Sequence, residues 1–585
     1  MDKIIDFIKK HWLILAFVFV IIGAFAIRSY NFSDWLYFKS DQVRDAKLAA
    51  MAFENGPGEL PLLGPRAAGT FLRLGPIFYY EEYLSAKIFN SIEPHVFAFP
   101  DLLFSLLTIP LFFIFLRIFF SQKISFLTTT LYAFSFIIIQ YSRFAWNPNQ
   151  LPFWGLFFLL SLLKSHSEVD RKKAGWWLVL AGLSYGIVSQ LHFIAFVGFP
   201  VVAFLFWIFY FPRKINWKYW LGAIAVGAFL YIPVILSDIS TGGDSLRQFI
   251  YAVTSKTEGR ALGLFENCRI IVISLFMFLT SFGHKEGIVS ALAGIFLVVF
   301  GVGALVYFWK KEKEARPFIY LTLVWFFVFI LLQIKTNISL KPRFFLPIAF
   351  LPFIFWGAIL KAVESFGYKA ITLVAYCSFV VLLLMNFNGI KIWISFLSSQ
   401  DPSQISRNIF LQQDDGKTFG KIKEATEFMA KKGRESKKTV CFYAGEDYKR
   451  SYEYIFDVYY PDVKYDRISK AIKDKSDCIY FSIATAKEES KLISSRYVDY
   501  FDFGNSHEFG TIAVWEIYPR EAFINYDKDE DESREEKLQE EDDVLEEELG
   551  VIEQEIEEGG NKENKPPRRK ERVFWKDVFV PTDAE

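Results

Sequence analysis

The chain has 585 residues, 52% of them hydrophobic and 19% aromatic, and Lys plus Arg and Asp plus Glu both total 65, so the formal charge is zero. Soluble domains reach roughly 45–50% apolar residues only when Gly is counted. This chain passes that level without its 34 Gly, which argues against an ordinary soluble enzyme, and four Cys exclude a disulfide scaffold. The zero charge hides a partition. Residues 521–585 hold 24 acids and 10 bases, a net of −14, which leaves 41 acids and 55 bases, a net of +14, for residues 1–520.

Crossing a hydrocarbon core of about 30 Å takes about 20 mostly apolar residues. The sequence predicts such segments at 12–29, 98–119, 124–141, 150–164, 175–191, 193–211, 218–237, 288–309, 317–334, 344–360 and 370–386. The expected fold class is therefore an α-helical polytopic membrane protein of about eleven spans. The first segment lacks a small-residue cleavage site, so it reads as a retained span. Basic clusters at Lys9-Lys10, 117–123, 171–173, 213–218, 310–316 and 361–369 all fall on the cytoplasmic side if the N-terminus is inside. That arrangement requires 75–92 to be an interfacial helix, with Glu81 and Glu82 on its solvated face. It also requires 268–282 not to cross.

On this topology the first loop, 30–97, and everything from about 398 onward lie outside. Residues 398–520 are expected to form a small extracytoplasmic α/β domain. It has a helical period over 418–432 and strand-like runs at 439–444, 477–483 and 510–517. Cys441 and Cys478 fall in two of those strands, with free buried thiols the expected state and a disulfide the alternative. Residues 521–585 read as a charged, largely disordered tail. A short acidic helix is expected within it, introduced by a capping box at Ser533 and Glu536, and the basic run 565–570 is expected to be solvated.

The spans carry few ionisable residues, and the charges gather in the first loop, unlike the pattern expected of an ion-coupled transporter. That loop contains Asp41, Arg44, Arg66 and Arg73, with Gly-Pro pairs at 64–65 and 75–76 that turn the chain tightly. A carboxylate there can serve as a general base, and arginines can hold a phosphate by paired hydrogen bonds. Capping the helix-like stretch 43–53 would equally explain an Asp at position 41, and lipid headgroups would equally explain the arginines. Gln190 and His192 form a polar pair at the outer end of the fifth span. They suit a cavity lining, or, for His192, an interfacial histidine with its bonds satisfied. No P-loop, GxGxxG, CxxC or HxxxH pattern is present.

Two later segments extend the pattern: Tyr141-Ser142-Arg143, with Asn147 a few residues on, and Lys341-Pro342-Arg343-Phe344-Phe345, which opens the tenth span. Together with the first-loop Asp41, they resemble the GT-C superfold of polyprenyl-phosphate-sugar-dependent glycosyltransferases. The likeness is to the protein O-mannosyltransferase-like and aminoarabinose-transferase-like branch, and it covers roughly 10–390. The resemblance implies that Asp41 is the catalytic carboxylate, and that Arg343, with Lys341, Arg66 and Arg73, meets the lipid phosphate. It places Arg44, Asp45, Arg143, Asn147, Gln190 and His192 around the cavity or acceptor. Gln42 stands where many members have a second acid, and Asn147 stands where many have an acid. A divalent metal ion is thus neither assigned nor dismissed.

The implied function is inverting transfer of a monosaccharide from a polyprenyl-phosphate donor to a glycan, lipid or protein hydroxyl. It would take place at the outer face of the plasma or inner membrane, with no nucleic-acid partner. The alternative is a non-enzymatic membrane protein that binds or translocates a lipid-linked glycan.

Overall fold

The computed structural model describes residues 2–67, 72–212, 215–254, 263–281, 287–334, 342–404, 415–468, 477–486, 500–520 and 573–579. All eleven apolar segments are helical. Among the described residues seven helices are each long and apolar enough to cross a membrane: His11–Ser29, Pro94–Leu116, Arg171–Leu191, Phe193–Tyr210, Ile288–Lys311, Arg316–Ile334 and Lys369–Ser399. Two more candidates are bent pairs, Trp217–Leu230 with Ile232–Ser240 at 54°, and Pro342–Ile348 with Leu351–Phe366 at 51°. The segment 124–141 is broken into Gln122–Ala133 and Phe136–Tyr141, and 150–164 lies within Leu151–Ser167. Local chemistry sets the ends. Ser121, Asp170 and Asn216 accept backbone N–H bonds at helix starts, and Gly367 ends Leu351–Phe366 at φ 77°.

Three of the basic clusters meet at one end of the bundle. Lys361 donates to the carbonyl of Phe119 at 2.9 Å and to Glu312 at 2.7 Å, which ties the 117–123, 310–316 and 361–369 segments together. The weakest of the apolar segments, 268–282, lies largely in a 16-residue helix, Leu264–Leu279. Asn267, near its start, donates to Ile334 at the far end of Arg316–Ile334. At its other end Leu279 accepts from Asn386, within Lys369–Ser399. At 1.5 Å per residue both anchor points lie about 26–27 Å along helices that begin at the basic end. The helix is thus anchored at both ends to two of the long apolar helices.

Beyond the bundle is a five-stranded sheet: β1 (Thr439–Ala444), β2 (Tyr465–Arg467), β3 (Cys478–Thr485), β4 (Phe501–Phe509) and β5 (Ile512–Pro519), in the order β2-β1-β3-β5-β4. The first three are parallel, and β4 and β5 add an antiparallel hairpin. Strand alternation sends Val440, Phe442 and Ala444 against Phe419–Ser436 and Glu446–Tyr459, and sends Cys441 to the opposite face. The strands β2 and β4 were not expected from the sequence, and neither is buried throughout. Cys441 and Cys478 form a disulfide between β1 and β3, correcting the expectation of free thiols.

This domain sits on the first loop. Phe419 and Gly420 donate backbone N–H bonds to Leu36 and Asp34, Ser451 donates to the Phe38 carbonyl, and the Phe38 ring packs on Phe419 and Tyr454. The capping box at 533–536 and the basic run 565–570 lie outside the described residues. Within the tail expected to be largely disordered, the described stretch 573–579 is docked: Val573 and Trp575 pair with Leu62 and Leu60 of the first loop.

Candidate functional site

The first-loop helix Ser40–Asn55 opens with Asp41 in its first turn. Asp41 is not its cap. Gln42 accepts from the N–H of Lys39 at 3.3 Å, which leaves Asp41 to pair with Arg44 one turn on, at 2.9 Å. Arg44 also donates to Asp45 at 2.7 Å. Asp45 is fully buried, whereas the Asp41 side chain is 48% exposed, so one guanidinium links an interior carboxylate to one that faces outward. Burial opposes the charge on Arg44, but Asp45, Tyr79 and Asp41 outweigh it and hold the guanidinium protonated.

Behind this pair is a group of acids that the sequence reading placed on a solvated face. Glu82 is 1% exposed, and neither of its carboxyl oxygens has a hydrogen-bond partner among the described residues. Burial, reinforced by Asp45 and Asp101, pushes its carboxyl well above the usual range, which favours the neutral form. Burial also raises Glu81, to about 7, against the opposing hydrogen bond from Gln150 at 2.7 Å. The period of Ile77–Phe89 gave no hint of this, because its apolar residues do not select one face. The contacts come from the distant Asp45, Asp101 and Gln150.

The Gly-Pro segments form a short hairpin. Gly64 and Ala67 donate backbone bonds to Leu74 and Leu72, Leu74 donates to Pro65, and Arg66 stands opposite Arg73. In such a non-hydrogen-bonded pair the side chains lie close together. Like charges placed opposite one another repel, so the arrangement suits an anion. Glycine is required at two points. A Cβ on Gly64 would come within 2.2 Å of the Gly75 carbonyl oxygen, and one on Gly75 within 2.2 Å of the Gln190 side chain. Gln190 is held there by bonds to the carbonyls of Gly186 and Leu230. Arg73 and Gly75 line a cavity of about 430 Å³ whose other walls include Phe193, Phe196, Tyr231, Ile235 and Phe249.

The third part comes from the loops around Trp146 and Arg343. Trp146 donates its backbone N–H to Asp101, and Asn147 bonds the carbonyl of Leu191 beside Gln190. Arg343 stacks on Trp146 at 5.2 Å and on Phe344 at 5.1 Å. It has no ion-pair partner among the described residues. His192 Nδ1 accepts from Ile194 N–H and so caps Phe193–Tyr210, while its ring lies edge-on to Phe344. Burial first, and Arg343 second, push its pKa down to about 3, which keeps the ring neutral as that cap requires. Arg143 lies elsewhere. It donates to the carbonyls of Arg28 and Tyr30, closing the end of the first helix, and stacks near Phe32 and Trp393. Lys341 lies outside the described residues.

Contacts thus run from Asp41 through Arg44 to Asp45, whose charge acts on Glu82, and from Asp101 to Trp146 and Arg343, while Asn147 bonds Leu191 and the neighbouring Gln190 packs against Gly75 of the arginine hairpin. All of this lies at the end of the bundle away from Lys361. Sequence reading missed Glu82, Asp101, Gln150 and Trp146. The aromatic-Asn-Pro-Asn-Gln run at 146–150 was the available signal for the last two. Among the described residues no three His, Cys, Asp or Glu side chains converge as a metal site. Between Asp41 and Asp45 the Arg44 guanidinium donates to one oxygen of each carboxylate.

The same arrangement of helices and a soluble domain occurs in solved structures. ArnT from Cupriavidus metallidurans in the apo state superposes with a TM-score of 0.53 at 12% identity, over 87% of this chain and 98% of that one. The apo oligosaccharyltransferase of Archaeoglobus fulgidus gives 0.51 at 13% identity, over 88% of this chain and 75% of that one. This is the GT-C fold. Residues 60–237 also match the family model of the dolichyl-phosphate-mannose-protein mannosyltransferases, a stretch that includes Arg66, Arg73, Asn147, Gln190 and part of the cavity wall. No curated protein matches the chain in sequence. The chain is a multi-pass membrane protein with the GT-C fold.

Proposed function

We propose that this GT-C protein transfers a monosaccharide from a polyprenyl-phosphate donor to an acceptor hydroxyl, with inversion at the anomeric carbon. The observation that carries this reading is the cavity of about 430 Å³: its walls are largely aromatic and aliphatic, Arg73 stands at its rim, and Arg66 lies opposite Arg73. An isoprenoid phosphate has that polarity, apolar along its length and doubly charged at one end. Arg343, stacked on Trp146 and Phe344, supplies a third cation. The match of 60–237 to a family named for a dolichyl-phosphate sugar supports the same donor class.

In the proposed reaction the acceptor oxygen attacks the anomeric carbon while the bond from that carbon to the phosphate oxygen breaks. Asp41, the outward-facing carboxylate of the Arg44-linked pair, takes the acceptor proton. Arg343, Arg66 and Arg73 stabilise the charge that develops on the departing lipid phosphate. Asp45 orients Arg44 from the interior, and Glu82, in its favoured neutral form, adds no repulsion to Asp41.

The site end of the bundle is proposed to be extracytoplasmic. Two features support that orientation: the basic clusters gather at the other end, and the soluble domain at the site end carries the disulfide Cys441–Cys478.

The test is Asp41→Asn. It preserves size and the bond to Arg44, so the expected outcome is an unchanged unfolding temperature and a loss of transfer of about 10²–10⁴-fold. Near-normal transfer would exclude Asp41 as base. A protein that binds labelled polyprenyl-phosphate sugar without ever releasing lipid phosphate would point instead to a carrier or translocator of lipid-linked glycan.

A further inference from the structure

The last described segment of the chain returns to the first loop. Leu62 donates its N–H to the Val573 carbonyl at 2.9 Å, Trp575 donates its N–H to the Leu60 carbonyl at 3.1 Å, and Pro61 stands opposite Phe574 in an antiparallel bridge. The Trp575 indole donates to the Tyr80 hydroxyl at 2.9 Å, which in turn donates to the Pro61 carbonyl at 3.1 Å. Lys576 closes the contact with an ion pair to Glu59 at 2.8 Å. Asp577 accepts from the N–H of Phe574, which fixes the turn into the short helix Trp575–Phe579.

These contacts adjoin the arginine hairpin. Along the loop, Leu60 and Leu62 bond to the C-terminal segment, and Gly64, Pro65 and Ala67 bond to the return strand 72–74. Two short partners lie end to end on one stretch of chain. Without the first partner, the Leu60 carbonyl and Leu62 N–H lose their bonds, and the strand leading into Arg66 is held only from one side. Tyr80, clamped in the same contact, precedes Glu81 and Glu82 on the helix that carries the buried acids.

We infer that the edge Glu59–Leu62 with Tyr80 is a strand-addition site for a short aromatic-basic peptide, that its occupant is this chain's own 573–579 segment, and that docking sets the affinity of the Arg66/Arg73 hairpin for a polyprenyl phosphate. The mode is β-augmentation: backbone bonds supply affinity, and a pocketed side chain, here Trp575, supplies specificity. Residues 521–572 connect the sheet domain to this segment and carry 21 acids among them and few large apolar residues, a composition with little means of holding the segment down by its own packing. The docked segment is therefore held by the contacts described above. The inference rests on the proposed donor role of the two arginines.

The test uses the full-length protein in detergent with dolichyl phosphate as probe, comparing wild type, Trp575→Ala and the double variant Arg66→Ala/Arg73→Ala. In Trp575→Ala, amide exchange across 60–67 is expected to rise and dolichyl phosphate binding to weaken roughly tenfold. A synthetic peptide of residues 573–579 should restore both. Unchanged exchange in Trp575→Ala, or exchange that the peptide does not restore, overturns the docking. If exchange changes as expected while lipid phosphate binds as in wild type, and the double arginine variant still loses binding, the coupling to the hairpin is overturned and the donor role stands. Wild-type binding by the double arginine variant overturns the donor role itself and, with it, the coupling, whereas the docking is still judged by exchange.

Discussion

Substitution of Gly64 by Ala tests the geometry of the arginine hairpin without touching a charge. The added Cβ would lie 2.2 Å from the Gly75 carbonyl oxygen, where ordinary contact begins at 3.4 Å, so the two strands must separate by about 1.2 Å. Both sides are backbone, and neither can rotate away. The Gly64–Leu74 bond is 2.8 Å and the Leu74–Pro65 bond 2.9 Å, and a displacement of that size takes both out of hydrogen-bonding range. At about 0.5–1.5 kcal/mol for each, the local cost is on the order of 1–3 kcal/mol, too little to unfold the bundle. Arg66 and Arg73 would move apart by a similar distance, and a misplacement of about 1 Å at a reacting site costs on the order of 10²-fold in rate. The expected outcome is transfer reduced by about one to two orders of magnitude, with a raised KM for the polyprenyl-phosphate donor and a near-normal unfolding temperature. Turnover of a labelled donor in proteoliposomes measures it. Wild-type kcat and KM in Gly64→Ala would refute the assignment of this hairpin to donor binding.

Arg343→Ala removes a charge-assisted contact of about 1.5–3 kcal/mol, so kcat/KM for the donor should fall roughly 10- to 100-fold. Arg343→Lys should recover only part of it, because an ammonium cannot stack on Trp146 as a planar guanidinium does; full activity in the alanine variant would remove Arg343 from the site. Burial holds the Glu81 carboxyl near 7, well above an unfolded glutamate, so the folded state binds the extra proton. Stability is then fullest below the unfolded pKa and falls as pH rises towards 7, by about 3 kcal/mol. Glu81→Gln should flatten the dependence of unfolding temperature between pH 5 and 7, and an unchanged pH profile would contradict the burial argument. Loss of the Cys441–Cys478 bond by Ser substitution should destabilise the sheet domain by about 2–4 kcal/mol, and alkylation with mass analysis should show both thiols blocked in the native protein.

The bundle was legible in the sequence because lipid leaves few options. Long apolar runs must be helical there, and Lys and Arg mark one end. Asp41, Arg343 and the paired arginines could be picked out as candidates, since charges gathered in loops between long apolar runs stand out. Glu82 could not. Its burial depends on Asp45 and Asp101, 37 residues before Glu82 and 19 residues after it, and no local period encodes that contact. Arg143 showed the opposite failure. Its motif suggested a cavity, but the carbonyls at the end of the first helix, more than a hundred residues earlier, claim its guanidinium. The disulfide likewise depended on strand order, with β1 beside β3, and residue spacing alone does not give that order.

The first loop is among the earliest parts of the chain to be made and among the last to be finished. Its Phe38 carbonyl waits for Ser451, 413 residues later, and Tyr80 waits for Trp575, 495 residues later. At about 5–20 residues per second of synthesis, Tyr80 stays incomplete for roughly half a minute to two minutes after it emerges. During that interval the spans can insert and pack, while the carboxylate and arginines remain on a loop without its lid or its strap. A chain that stopped between residues 521 and 572 would hold the bundle and the sheet domain but lack the contacts of Val573 and Trp575 with the first loop.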